Sequence, residues 1–120
     1  MRRLALVLVG IAVEVGAAAP PDVGSRIYAE RCSACHGDDG RGDGPAAAAL
    51  VPRPRNFRDA GFWQGRTTDQ LRTVVTKGKL GTMMAPYEDV LTGAEIDAVV
   101  AHLRAFDPSA PAPAAVPRTQ

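Results

Sequence analysis

The sequence predicts an all-α domain, and three observations carry that expectation. No stretch of the chain alternates apolar and polar residues with the period of two that a half-buried strand requires. Two stretches instead place apolar residues at helical spacing directly after a Thr-x-x-Gln or Thr-x-x-Glu capping box. Between the helical stretches run long segments rich in Gly (12) and Pro (10), which break regular structure and need something to pack on. At 120 residues there is room for one domain, and with aromatics at 5% its core is thin. Domains of that kind are commonly held by a disulfide, a metal or a cofactor. The balance of 14 Lys+Arg against 13 Asp+Glu argues against a nucleic-acid binder that works by neutralising phosphates.

The elements follow in chain order. Met1-Arg2-Arg3, the apolar run Leu4–Val13 and the small residues Gly16–Ala19 have the layout of a secretory signal peptide. Pro20 disfavours a cut after Ala19, so cleavage is expected after Ala17 or Ala18, and residues 1–18 form the signal. Ten apolar residues are too few to cross a bilayer of ~30 Å, so membrane attachment arises only if the segment stays uncleaved. Losing Arg2, Arg3 and Glu14 leaves 12 basic and 12 acidic residues, a neutral exported protein with a periplasmic location.

The body is 21–106 and shows no internal repeat. A first helix is expected over Val23–Cys32, with Asp22 as N-cap and Gly24, Ile27, Tyr28 and Arg31 on or near one face. Gly37–Gly44 is a loop with four glycines. Pro45–Leu50 fits one or two helical turns with proline in first position, and Val51–Gly65 reads as irregular around Pro52 and Pro54. Thr67 and Gln70 form a capping box ahead of the stripe Leu71, Val74, Val75, and Gly78 stops that helix. After a loop over Gly81–Leu91, Thr92 and Glu95 form the second box ahead of Ile96, Val99, Val100, Leu103 and Phe106. Asp107–Gln120 holds four prolines in fourteen residues and is expected to be a disordered tail.

The two cysteines stand in Cys32-Ser33-Ala34-Cys35-His36, the C-x-x-C-H sequence of covalent haem attachment. Each thiol adds to one haem vinyl group, the two-residue gap matches the separation of the vinyls, and the next residue can present an imidazole to the iron. A Cys32–Cys35 disulfide, as in a thiol oxidoreductase, would need a βαβ pattern that the sequence lacks. Zinc would need four ligands, and beyond His36 the sole remaining histidine is His102.

From Gly24-x-x-x-Tyr28 through Cys32–Gly37 and the loop Gly81–Tyr87 to the Thr92–Phe106 helix, the chain resembles a class I monohaem cytochrome c over about 23–106. Gly42–Leu50 (GDGPAAAAL) and Pro52–Phe57 (PRPRNF) look like small bacterial cytochrome c domains that serve periplasmic dehydrogenases or terminal oxidases. The resemblance implies the cytochrome c fold, about four short helices and long loops wrapped around one covalently bound haem c. It implies iron held by His36 and a methionine. Related loops read Gly-Thr-x-Met-Pro-x-aromatic, which matches Met84, but proline stands one place late at Pro86 and keeps Met83 as the alternative. It also implies that a carbonyl from Pro52 or Pro54 accepts a hydrogen bond from His36 Nδ1. Gly24 and Tyr28 would meet the last helix at a position where this chain has His102, which could fill that crossing, lie exposed or compete for iron. Phe57, Phe62 and Trp63 are expected as walls against the haem. One or two of Arg53, Arg55, Arg58 and Arg66 are expected to pair with its propionates.

No nucleophile or pair of general bases accompanies these residues, and a saturated iron suits one-electron transfer. The expected function is therefore a periplasmic electron-transfer cytochrome c rather than an enzyme, with transient redox donors and acceptors as partners. The alternatives are a haem c subunit of a dehydrogenase or oxidase complex, and a haem sensor or enzyme with a labile sixth site.

Overall fold

The computed structural model describes residues 5, 7–12 and 20–110. Among these residues five α-helices follow in order: α1 (Pro21–Arg31), α2 (Ser33–His36), α3 (Ala60–Trp63), α4 (Thr68–Lys77) and α5 (Gly93–Arg104), with a single 3₁₀ turn at Ala47–Ala49. No strand occurs among the described residues, in agreement with the all-α expectation.

The first and last helices form the main clasp. Gly24 lies directly on α5: a Cβ there would fall 2.1 Å from the Ala98 carbonyl oxygen, so glycine is the residue that permits this approach. One turn on, the Tyr28 ring packs 5.0 Å from His102 and 5.2 Å from Phe106. Ile27, Ile96, Val99, Val100 and Leu103 complete a buried seam between the helices. His102 therefore fills the crossing.

Helix α1 begins earlier than expected. Pro20 occupies the N-cap without a side-chain cap, and proline in the first turn supplies a preset φ. Asp22 does not cap; it sits in the first turn, where a carboxylate faces the positive end of the helix.

Both capping boxes form. Thr67 Oγ1 accepts from the Gln70 amide at 3.1 Å while Gln70 Oε1 accepts from the Thr67 amide at 3.0 Å. Thr92 and Glu95 repeat the exchange at 3.2 and 2.9 Å. Gly78 ends α4 at φ 70, and a Cβ there would meet the Met84 carbonyl oxygen at 2.7 Å. That glycine lets the following loop fold back over the helix end. The Lys79 amide donates to the Met84 carbonyl at 3.1 Å, and the Tyr87 amide to the Val75 carbonyl at 3.0 Å. The methionine loop is thus strapped to α4.

Two middle segments differ from expectation. Val51–Gly65 is not wholly irregular, because α3 forms inside it: Asp59 Oδ1 accepts from the Gly61 amide at 3.0 Å, and Trp63 Nε1 donates to the Phe57 carbonyl at 2.7 Å. Pro45–Leu50 yields only the 3₁₀ turn, held against α2 by the Ala46 amide donating to the Ala34 carbonyl at 2.9 Å.

At the ends, Val7, Leu8, Val9 and Ile11 are exposed. The rest of the expected signal, 1–4, 6 and 13–18, lies outside the described residues. Of the expected tail, Asp107–Ala110 makes a turn in which the Ser109 amide and hydroxyl donate to Asp107 Oδ1, and 111–120 lie outside the described residues. No described helix is long and apolar enough to cross a membrane.

Candidate haem site

A cleft of about 340 Å³ opens between the α1–α2 junction, the 50–57 loop, α4, the methionine loop and α5. Cys32, Cys35, His36, Met83 and Met84 all line it, so the fold brings together the two thiols, the imidazole and both methionines that the sequence offered for attaching and holding the cofactor.

The C-x-x-C-H segment is one helical turn. Cys32 ends α1 and begins α2, and the His36 amide donates to the Cys32 carbonyl at 3.0 Å. Tyr28 anchors the far side of this turn, its hydroxyl donating to the Gly37 carbonyl at 2.6 Å. Both thiols are free and half-buried, and burial pushes the Cys32 thiol up to about 11. No group of three or more His, Cys, Asp or Glu that could hold a metal is gathered among the described residues, which leaves the zinc alternative without a ligand set.

The His36 ring is fixed on two sides. With Nδ1 as the protonated nitrogen, it donates to the Arg55 carbonyl at 3.3 Å. The expected acceptors, Pro52 and Pro54, line the cleft, but the carbonyl that reaches the ring belongs to the residue after Pro54. One face of the ring stacks on Phe57, with centroids 4.6 Å apart and planes 19° apart. Burial lowers the His36 pKa, against the opposing effect of the Arg55 bond. The neutral ring leaves Nε2 as a donor to a metal.

The methionines line the same cleft. Met84 is half-buried, whereas Met83 is 75% exposed. The Met84 amide donates to Thr82 Oγ1 at 3.1 Å, which adds a second tie to its backbone. Leu71, Val75, Val99 and Leu103 supply buried apolar wall.

The aromatic walls divide. Phe57 and Phe62 line the cleft. Trp63 does not; it stands edge-on to Phe62 at 5.0 Å, with the Arg104 guanidinium 5.5 Å from its ring centre. The arginines divide too. Arg53, Arg55 and Arg66 border the cleft, but Arg58 turns away, its Nε donating to the Asp39 carbonyl and its guanidinium lying 5.0 Å from the Phe106 ring centre. Sequence reading missed Arg31 and Lys79, which also line the cleft. Only the fold brings these two distant positions to one opening.

The cleft fits a flat apolar ring bearing iron. Its walls are mostly apolar, the two thiols sit one helical turn apart, and imidazole and thioether donors border the same space. His102 does not line it.

Residues 19–103 match the family model described as cytochrome c oxidase, cbb3-type, subunit III. Among solved structures, the KustC0563 c-type cytochrome is similar at 28% identity and a TM-score of 0.59, over 69% of this chain and 95% of that one. The dihydro-haem d1 dehydrogenase NirN, solved in complex with DHE, is similar at 28% identity and a TM-score of 0.54, over 68% of this chain and 15% of that one. The Kuenenia stuttgartiensis reducing HAO-like protein complex Kustc0457/Kustc0458 shares the fold at 24% identity and a TM-score of 0.57, over 78% of this chain and 49% of that one.

Proposed function

From the premise that the chain belongs to this cytochrome c family and carries covalently bound haem c, we propose that it is an exported one-electron carrier whose iron is held by His36 and Met84. The observation that supports this most is the convergence of Cys32, Cys35, His36 and Met84 on one apolar cleft. Cys32 and Cys35 furnish the thiols for the two thioether bonds. His36 Nε2 and the Met84 sulfur would hold the iron, with Met83 as the alternative. Bound there, haem c supplies an iron that changes charge by one electron with little change in geometry. Arg55 orients His36 through its carbonyl and makes the ring a better donor. Thr82 and Lys79 hold the Met84 backbone in place. Leu71, Val75, Val99 and Leu103 keep water from the ring, which raises the reduction potential along with the thioether ligand.

The test is spectroscopic. Acid–acetone extraction should leave haem on the polypeptide, and the reduced protein should not bind carbon monoxide. Haem passing into the solvent overturns covalent attachment. Carbon monoxide binding to the native protein favours a sensor or enzyme with a labile sixth site over a carrier.

Similarity to part of NirN and to part of the reducing HAO-like complex favours a second reading, a haem c subunit within an oxidoreductase complex. Gel filtration of the native extract separates the two: a free carrier elutes at the size of the chain, a subunit with its complex.

A further inference from the structure

We infer that the mouth of the cleft is a docking face for a redox partner that presents carboxylates around an apolar contact, an inference that rests on the carrier reading above. Five cationic residues line the cleft, Arg31, Arg53, Arg55, Arg66 and Lys79, and no Asp or Glu does. This is not a bias of composition, because the chain has almost equal numbers of acidic and basic residues. The ion pairs lie elsewhere: Arg41 with Asp39 at 2.9 Å, Arg72 with Asp97 at 2.6 Å and Lys77 with Glu88 at 2.7 Å. None of those six residues lines the cleft, and among the described residues no carboxylate lies in ion-pair range of the five cations that do.

Two haem propionates would balance two of the five, and a positive excess remains at the opening. Arg53, Arg55 and Arg66 also border an adjoining hollow of about 380 Å³, where the one carboxylate, Asp59, is engaged by the Gly61 amide. Exposed apolar side chains lie close in sequence to two of these cations. Val51 is 91% exposed two residues before Arg53, Leu80 is 100% exposed next to Lys79, and Met83 lies on the same loop as Leu80. Apolar contact ringed by charge is the layout of a small, transient interface. An uncompensated positive rim selects an acidic partner and orients it before contact.

Gold electrodes coated with carboxylate-terminated or ammonium-terminated monolayers test this with the full holoprotein. A reversible wave is expected on the carboxylate surface and not on the ammonium surface. It should fade as salt shortens the screening length to ~10 Å at 0.1 M. Arg53→Glu and Lys79→Glu should each cut the current about fivefold or more. Arg26→Glu, the same change in net charge on an exposed α1 residue outside the cleft, should leave it within about twofold. Equal waves on both surfaces overturn the docking face, as does an Arg26→Glu loss equal to the other two. Silence on the carboxylate surface also overturns it, and solution oxidation by hexacyanoferrate(III) then decides what else fails. If that oxidation proceeds, only the docking face is lost; if it too is absent, the carrier reading falls with it.

Discussion

Met83 and Met84 are neighbours in sequence and opposites in surroundings. The Met84 backbone is tied at both its amide and its carbonyl, and its side chain is half-buried in the cleft. Met83 borders the same cleft but is 75% exposed. On the proposed ligation, Met84→Ala should abolish the weak red charge-transfer band of sulfur-ligated ferric haem, lower the midpoint potential and admit carbon monoxide or cyanide. Met83→Ala should keep the band; the reverse outcome would make Met83 the ligand. His102 carries a separate expectation. Burial holds its ring below the usual histidine range of about 6.5, so the unfolded chain binds a proton there more readily than the folded one. Its contribution is present above that range and is lost as pH falls through the lowered folded value. His102→Phe should therefore lose less melting temperature than the native protein between neutral pH and the acid side of that range, measured by thermal unfolding of the holoproteins. At this scale the sequence showed side chains but not backbone donors and acceptors. The C-x-x-C-H chemistry was legible because residue identity carries it. Arg55 was expected for its side chain, and its carbonyl was not singled out over those of Pro52 and Pro54 because every residue possesses one.

The helices divide by where their stability originates. α4 and α5 announce themselves, since a capping box and an apolar stripe are local features. α3 has four residues and depends on the Trp63–Phe57 hydrogen bond and on edge-on contacts among Phe57, Phe62 and Trp63. No local pattern marks it, so the segment read as irregular. Thr92→Ala removes one half of a capping box and should cost about 1 kcal/mol in denaturant unfolding, with the visible spectrum unchanged. The α1–α5 crossing is less tolerant. Gly24→Ala drives a methyl group into the Ala98 carbonyl, and overpacking of this kind costs about 1–3 kcal/mol or more. The same unfolding measurement should show a loss greater than that of Thr92→Ala.

At the scale of the molecule, the cleft and the core are the same wall. Leu71, Val75, Val99 and Leu103 belong to the buried cluster and also line the cleft. Without haem that wall has nothing to pack against across about 340 Å³ of cleft, so the apoprotein should not hold its fold. The double variant Cys32→Ala, Cys35→Ala should show weak far-ultraviolet helical signal and no cooperative unfolding, because a body of this size has little other apolar surface to bury. A native-like apoprotein spectrum would contradict that. Export belongs to this scale too. On the proposed export, mass spectrometry of protein recovered from a periplasmic fraction should find residues 1–17 or 1–18 removed and one haem gained, and an intact Met1 would overturn the proposed signal. The all-α architecture was legible because its long loops required a central support, which the paired cysteines supplied. The distribution of charge was not legible, since a nearly neutral total conceals a one-sided arrangement that exists only after folding.

The α1–α5 clasp also determines how readily this domain could be built into larger proteins. The body starts on one helix of the pair and finishes on the other, with Gly24 against Ala98 and Tyr28 against Phe106. Neither Pro20 nor Asp107 lines the cleft. A linker can therefore be spliced onto either end without crossing the opening or disturbing its walls. The unit is modular in the engineering sense: a sealed component with both connectors mounted on its frame and its working port left clear.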